Sequence, residues 1–215
     1  KQGKERIGEL TETLNGIDEK RDYLMASIPN LPNADVPVGL TEEENEVFKE
    51  GLAKKDFDFE PLPHWDIPAC KPLIEFERGV NLSGTRFYVL RGQMAQLQRG
   101  LIAYLLDSHR REGYEALYLP HIVRETNLYN SGQLPKFKSN LYKDYEEDFY
   151  LIPTAEVPIT SFHSNEFVDG KLPLNYCAYT PCFRREKMSA GKDVRGMKRG
   201  HQFDKVELYK FVAPE

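Results

Sequence analysis

The chain has 215 residues, which is enough for one domain with a sizeable hydrophobic core and an appendage. Hydrophobic residues make up 40% of it and charged residues 29%, a composition typical of a soluble globular protein. No apolar run approaches the ~20 residues needed to span a bilayer, and no signal-peptide pattern opens the chain, so the sequence predicts neither a membrane span nor a secretion signal.

The net charge of −5 is unevenly distributed. Residues 1–60 have 8 basic and 15 acidic side chains, a net of −7, whereas residues 61–215 have 21 and 19, a net of +2. There is thus no basic excess that would by itself indicate a nucleic-acid partner. If a polyanion binds, the C-terminal part offers the more favourable surface.

The cysteines argue against a disulfide framework and against a zinc site. They are odd in number and none lies in a paired CxxC spacing; they are Cys70, Cys177 and Cys182. The sequence therefore predicts no metal site and favours the reducing cytoplasm.

A heptad pattern occupies residues 1–28. Its apolar residues are alternately three and four apart, except that Arg21 takes one position of the seam; they are Ile7, Leu10, Leu14, Ile17, Leu24 and Ile28. This repeat predicts a helix of a coiled coil or of an antiparallel helical hairpin, roughly 40 Å long. The pattern begins without a cap, so we expect the partner helix upstream. Taken alone, such a helix more often serves oligomerisation or packing than a function of its own.

Residues 29–60 break this pattern. Pro29, Pro32 and Pro37 lie close together, and Gly39 follows them. Because proline fixes φ and disfavours helix in the residue before it, an extended connector is predicted. The acidic and mixed run after it is expected to face solvent.

The segment from residue 87 to residue 120 predicts a strand, a helix and a second strand. Phe87 to Leu90 are β-forming residues. The helix that follows has one marked face, formed by Met94, Leu97, Leu101, Tyr104, Leu105 and Ser108. Gly113 stands where a C-cap glycine ends a helix. Residues 114–119 form the second strand, which Pro120 stops.

The last part of the chain predicts two polar-faced strands joined by a long loop. Side chains alternate along a strand with a period of two. Cys182, Arg184 and Glu186 should therefore share one face of the first strand. Phe203 and Glu207 should share one face of the second. A guanidinium, two carboxylates and an aromatic ring would then lie on one sheet surface.

The loop between these strands, residues 184–199, is strongly basic. It has seven Lys or Arg against two acids, a net of +5 in a chain that is acidic overall. Such a concentration of positive charge favours phosphate binding. The alternative is an ordinary solvated hairpin, in which the charges point outward and Phe203 is a core residue.

Three motifs resemble those of one enzyme family. FRRE at residues 183–186, RGHQF at 199–203 and Glu207 resemble motif 2 of the class II aminoacyl-tRNA synthetases, and the HQFDKVEL run is similar to that of seryl-tRNA synthetases. Residues 113–120, of the form G-Y-x-x-L-x-x-P, resemble class II motif 1. NSGQLPKF at 130–137 resembles the GTGQLPKF loop of seryl-tRNA synthetases, with Asn and Ser in place of Gly and Thr.

The resemblance implies an α+β fold, with a class II antiparallel sheet flanked by helices and preceded by the end of a long coiled-coil arm helix. Residues 1–28 would be the distal part of the tRNA-binding arm, residues 29–60 the connector, and residues 61–215 the first part of the catalytic domain, with motifs 1 and 2. Motif 1 implies a homodimer. Motif 3 and the acidic Mg²⁺ ligand are expected outside this segment, so we expect the 215 residues alone to be inactive.

The implied activity is that of a cytoplasmic serine–tRNA ligase, which activates L-serine with ATP and Mg²⁺ and transfers it to tRNA(Ser), and also to tRNA(Sec). Both reactants of the activation step are anions, so the site must neutralise charge and hold them in line. Arg184 would bind the α-phosphate and the serine carboxylate, since a planar guanidinium can bridge two oxygens.

The resemblance assigns the remaining site residues to the two small substrates. The expected catalytic residues are Arg184 and Glu186. The expected ATP-binding residues are Arg184, Arg185, Glu186, Arg199 at the γ-phosphate, Gly200, and Phe203 stacked on adenine. The expected serine-binding residues are Thr154, Ala155 and Glu156 of a TAE tripeptide, together with Glu207. No general base is needed, and no metal ligand is predicted in this segment.

Two other functions stay open from the sequence. A homologue that loads an amino acid onto a carrier protein would use the same core, although the heptad segment argues against it. A non-catalytic module that binds RNA or a synthetase is the second alternative. Continuation of the reading frame into a motif 3 would exclude it.

Overall fold

The computed structural model describes residues 2–53, 55–168, 170, 172–187 and 196–213. Residues 188–195, the middle of the predicted basic loop, lie outside these ranges. The chain forms two compact units, Lys1–Pro63 and His64–Glu215.

A single long helix dominates the first unit. α1, Gln2–Ser27, has no buried residue, and the apolar residues of its heptad pattern are all exposed. Pro29 follows its end, where a missing N–H no longer interrupts helical hydrogen bonds. The helix is confirmed, whereas the coiled coil stays a prediction. After α1 the described residues of this unit contain one short 3-10 helix, Glu42–Glu44.

The second unit contains every strand of the described residues. In chain order its elements are β1 (Ile74–Glu75), α2 (Phe76–Ser83), β2 (Val89–Leu90), α3 (Gln93–Arg111), β3 (Glu115–Leu117), β4 (Ile122–Arg124), α4 (Glu125–Asn130), a 3-10 helix (Lys138–Asn140), β5 (Tyr142–Lys143), β6 (Phe149–Leu151), α5 (Glu156–Thr160), β7 (Leu174–Phe183) and β8 (Gln202–Phe211).

The main sheet has the order β3-β7-β8. Its two long strands, β7 and β8, pair antiparallel over ten residues each. β3 pairs parallel with β7, so the sheet is antiparallel at its centre and carries one parallel edge. A smaller antiparallel sheet has the order β4-β6-β5, and β1 pairs with β2. This is the mixed α+β architecture that the sequence predicts.

α3 ends as its sequence predicts but turns its apolar face outward. Gly113 follows the helix with φ of 90°, a conformation that costs other residues energy, and so confirms the C-cap assignment. The helix packs on β7 and β8. Leu97, Leu101 and Tyr104, however, are 54%, 51% and 62% exposed. The predicted apolar face of α3 therefore does not cover the core of this chain.

Two buried clusters hold the second unit together. The first consists of Val123, Leu128, Leu134, Leu141, Tyr150, Ile152 and Val157. The second consists of Leu119, Ala155, Ile159, Tyr176 and Ala178. Because the second joins α5 to β7, it fixes the residues around the start of α5 against the main sheet.

No helix among the described residues combines the length and the apolar character that crossing a membrane requires.

Candidate active site

One face of the β7–β8 pair carries the predicted polar residues. In the antiparallel register, Ala178 lies opposite Glu207, Thr180 opposite Lys205 and Cys182 opposite Phe203. Opposed residues of an antiparallel pair project to the same side. Phe203, Lys205 and Glu207 thus share one surface, as the period of two predicts for Phe203 and Glu207.

The strand alternation does not extend to Arg184 and Glu186, and this part of the sequence prediction is wrong. β7 ends at Phe183. The Arg185 N–H then donates to the Asn140 carbonyl oxygen at 2.9 Å, which draws the chain toward the 3-10 helix. Glu186 has φ of 48°, in the left-handed region that no strand uses. A turned backbone, rather than a strand face, therefore positions Glu186.

Arg184 nevertheless lies beside Phe203. Its Cζ is 5.2 Å from the centroid of the Phe203 ring, a cation–π contact. Its Nε donates to the Pro153 carbonyl oxygen at 3.0 Å, so the guanidinium is fixed next to the residue that precedes Thr154. Arg184 thus connects the predicted ATP-binding residues with the predicted serine-binding residues.

An open cavity of about 450 Å³ lies next to Arg184. Its lining residues are Arg184, Glu186, Lys198, Arg199, Gly200 and Phe203. Arg199 Nη1 lies 3.5 Å from Glu186 Oε2, so an ion pair connects the two ends of the basic loop. Five of the six predicted ATP-binding residues line this cavity. Lys198, which the sequence analysis did not assign, adds a further positive charge.

Arg185 does not line the cavity. Its guanidinium lies over the Tyr142 ring, 5.2 Å from the centroid. The neighbouring His201 has a structural contact, because its Nδ1 donates to the Arg184 carbonyl oxygen at 2.8 Å while its ring stacks on Phe87. These two side chains hold the base of the loop.

A second cluster joins Thr154 to β8. The Thr154 hydroxyl donates to Glu207 Oε2 at 2.7 Å and accepts from Lys205 Nζ at 3.1 Å. Lys205 also forms an ion pair with Glu207. The hydroxyl accepts a third bond, from the Glu156 N–H at 3.2 Å. Thr154 and Glu207 therefore meet across 53 residues of sequence.

The other two residues of the tripeptide have different positions. Ala155 is fully buried in the second core cluster. Glu156 is the first residue of α5, where a carboxylate is favourable because the helix N-terminus is positive. Lys205, like Lys198, is a residue of the candidate site that sequence reasoning missed. The sequence contained a signal for Lys205, because period-two alternation puts it on the same face of the strand as Phe203 and Glu207.

The side chains of the candidate site can bind substrates through charge and hydrogen bonds. Burial raises the pKa of the Cys182 thiol, which keeps it neutral and unsuited to nucleophilic attack. No group of three or more His, Cys, Asp or Glu residues in the described part of the chain is arranged to hold a metal ion. The arrangement offers two guanidiniums around a cavity and, beside them, two acceptors that hold an ammonium group.

Comparisons with known proteins give the family of the chain. Residues 136–215 match the tRNA synthetase class II core domain (G, H, P, S and T). Over 212 residues the chain is 53% identical to a serine–tRNA ligase from Roseiflexus sp. (strain RS-1), covering 98% of this chain and 50% of that protein. It is 52% identical to the serine–tRNA ligase of Dehalococcoides mccartyi, with coverage of 98% and 51%.

Solved structures show the same relationship. The seryl-tRNA synthetase from Pyrococcus horikoshii complexed with ATP is 35% identical with a TM-score of 0.84, covering 95% of this chain and 50% of that one. The cytoplasmic serine–tRNA ligase from Naegleria fowleri in complex with AMP is 30% identical with a TM-score of 0.82, covering 97% and 50%. The chain spans about half the length of the relatives it matches. Across nearly its whole length, this chain belongs to the seryl-tRNA synthetase family of class II aminoacyl-tRNA synthetases.

Proposed function

We propose that the protein is a serine–tRNA ligase, which forms seryl-adenylate from L-serine and ATP and transfers the seryl group to tRNA(Ser), and also to tRNA(Sec). One observation carries the proposal: Arg184 lies between the basic cavity and the Thr154–Glu207 cluster. A single guanidinium there would contact both anionic reactants. The relatives' names support this activity, since they are serine–tRNA ligases.

ATP is proposed to bind in the cavity next to Arg184. Adenine would stack on Phe203, whose ring already packs against a cation. The phosphates would be neutralised by Arg184 and Arg199, which stabilise the charge that develops at the α-phosphorus as the serine carboxylate attacks it. Glu186 would hold Arg199 through their ion pair. The related structures that contain ATP and AMP support a nucleotide at this site.

Serine is proposed to bind at Thr154 and Glu207. The ammonium group of Lys205 already contacts both of these side chains, which supports their suitability for the α-ammonium of serine. Glu156 and the backbone around Ala155 would complete this end of the pocket. Threonine's extra methyl group would be rejected only by shape, which is worth about 1–3 kcal/mol. No residue has to act as a general base, because the carboxylate is already a nucleophile.

Mg²⁺ is proposed as the cofactor that accompanies ATP and shields its phosphates. The described residues contain no cluster suited to it. We therefore assign none of them a step through the metal.

The remaining assignments concern the protein as a whole. We propose that residues 1–28 belong to a tRNA-binding coiled-coil arm, residues 29–60 to a connector, and residues 61–215 to the first part of the catalytic domain. We also propose a homodimer through motif 1. A cytoplasmic location is proposed as well, and the three free cysteines support it. Neither the carrier-protein ligase nor the non-catalytic binding module is favoured by the comparisons.

Serine-dependent exchange of pyrophosphate into ATP tests the activity. The protein is expressed from its complete open reading frame and assayed with serine, threonine and alanine. We expect exchange that prefers serine and that Arg184→Ala and Glu207→Gln each reduce at least a hundredfold, or about 2.7 kcal/mol, as for the loss of a transition-state contact. Arg110→Ala and Glu166→Gln, at exposed positions, are matched controls. Absence of exchange with every amino acid would contradict the proposal.

A further inference from the structure

A contact outside motif 2 holds the second end of the basic loop. The Met197 N–H donates to His64 Nε2 at 2.9 Å, across 133 residues of sequence. The imidazole is itself fixed by an edge-to-face contact with Trp65, with the ring centroids 4.8 Å apart. Because Nε2 accepts this bond, the ring must carry its proton on Nδ1.

Gly196 makes this contact possible. Its φ of 88° lies in the left-handed region. A Cβ placed there would lie 2.5 Å from His64 Cε1 and 2.7 Å from Trp65 Cε3, closer than real Cβ atoms approach other atoms. Glycine is thus required both by the backbone conformation and by the space. The loop backbone lies directly against the two rings.

Arg86 holds the first end of the loop in a comparable way. Its Nη1 donates to the Glu186 carbonyl oxygen at 3.2 Å. The Arg86 carbonyl oxygen also accepts a hydrogen bond from the His201 N–H at 3.2 Å, just beyond the second end of the loop. Two residues that precede α3 therefore fix both ends of a loop 100 to 133 residues further along the chain.

Arg199 lies close to the contact between His64 and Met197. It follows Met197 by two residues, lines the cavity and pairs with Glu186. His64 itself is not among the lining residues of that cavity. Any effect of His64 on ATP must therefore pass through the loop backbone.

We propose that His64 is a positioning residue for ATP, which fixes the Arg199 end of the motif 2 loop by accepting the Met197 N–H. The proposal rests on the proposed function, since it takes the cavity to be the ATP site. His64 touches neither substrate. Its loss should weaken ATP binding while serine, held by Thr154 and Glu207, is bound as before.

The kinetic test compares His64→Ala with His64→Gln in the protein expressed from its complete open reading frame. Loss of one hydrogen bond of this kind predicts that His64→Ala raises KM for ATP about three- to tenfold. KM for serine should stay within about twofold. In His64→Gln, an amide oxygen replaces Nε2 as the acceptor, so most of the ATP affinity should return. Equal losses for both substrates, or equal losses in both variants, would show a purely structural role and overturn the proposal.

A matched glycine pair tests the same contact without removing the histidine. Gly196→Ala forces the loop away from His64 and should also raise KM for ATP. Gly84→Ala is the control, because Gly84 has φ of 95° but no neighbouring atom within 4 Å of an added Cβ. Similar kinetic effects of the two substitutions would contradict the proposal.

Tryptic cleavage separates this inference from the proposed activity. The loop between Lys187 and Arg199 contains several lysines and arginines, and its cleavage rate can be followed by mass spectrometry in the absence of any substrate. His64→Ala should be cleaved there several times faster than the wild type and His64→Gln, with unchanged cleavage elsewhere. If the wild type shows no pyrophosphate exchange, the proposed function fails, yet this rate still decides whether His64 holds the loop. An unchanged rate overturns the inference.

Discussion

At the level of single residues, the Thr154 hydroxyl connects the candidate site through three hydrogen bonds. It donates to Glu207 and accepts from Lys205 and from the Glu156 N–H. Thr154 is only 2% exposed, so water cannot replace these bonds. The valine variant keeps the shape but leaves a carboxylate, an ammonium and an amide each short of one partner.

We therefore expect Thr154→Val to lower the free energy of unfolding by about 1–3 kcal/mol and to raise KM for serine. Denaturant unfolding and pyrophosphate exchange measure the two effects. Thr180→Val is the matched control for stability, because the Thr180 side chain is fully buried and its hydroxyl lies 3.6 Å from Cys182 Sγ, a weak contact. An equal cost for both valines would contradict the role given to the Thr154 network.

Tyr179 lies on the opposite face of β7, and its ionisation should make the stability of the fold depend on pH. Burial, and then the hydrogen bond that its hydroxyl donates to Asp204 at 2.8 Å, raise the pKa of Tyr179 from 10.0 to about 12. The folded state thus favours the neutral phenol. The resulting stability is fully present below pH 10 and is lost as the pH rises toward 12.

Tyr179→Phe removes this titration. The difference in unfolding free energy between wild type and variant should be largest below pH 10 and should shrink as the pH approaches 12. Unfolding at a series of alkaline pH values measures it. Tyr145→Phe, at a residue that is 98% exposed, is the control. A difference that grows with pH would show that the sign is wrong.

Sequence reasoning predicted which candidate site residues share a face within a regular strand, but not how the chain turns beyond the end of that strand. Period-two alternation predicted that Phe203 and Glu207 share a face, because both lie within a regular strand. It failed for Glu186, because hydrogen bonds to a distant 3-10 helix end β7 three residues earlier. The contact of Arg185 with Tyr142 could not be predicted from the sequence either, since it depends on a neighbour 43 residues away.

At the level of elements, α2 packs on the segment before β2 through a glycine. Gly79 is buried, and a Cβ there would lie within 2.5 Å of Phe87 C and Tyr88 Cα, both backbone atoms that cannot move aside. We expect Gly79→Ala to destabilise the fold by about 1–3 kcal/mol through overpacking. Thermal or denaturant unfolding measures this.

The control for Gly79 is a glycine in an open helical position. Gly100 lies within α3 with no atom within 4 Å of an added Cβ. Gly100→Ala should be neutral or stabilise by about 0.5–1 kcal/mol, since alanine loses less conformational freedom in a helix. Destabilisation by both substitutions to the same extent would show that the close approach at Gly79 is not the cause. The sequence alone does not distinguish Gly79 from Gly100 in this respect, because the difference lies in which backbone atoms the fold brings beside each glycine.

At the scale of the whole molecule, the exposed apolar face of α3 is the feature that the isolated chain does not explain. Leu97, Leu101 and Tyr104 lie on it, and Tyr118 just beyond β3 is 95% exposed. An exposed apolar helix face of this kind marks an interaction site more often than a free surface. The homodimer that we propose through motif 1 would cover this face with a second copy of the same chain.

Substitution of Leu101 tests this homodimer. Leu101→Glu places a charge in the centre of the apolar face, where burial against a partner would be costly. We expect the protein expressed from its complete open reading frame to sediment as a dimer, and Leu101→Glu to sediment as a monomer with unchanged secondary structure. Ala103→Glu, an exposed position two residues further along α3 and on another side of the helix, should remain dimeric. A monomeric wild type, or dissociation by both substitutions alike, would rule out α3 as the dimer contact.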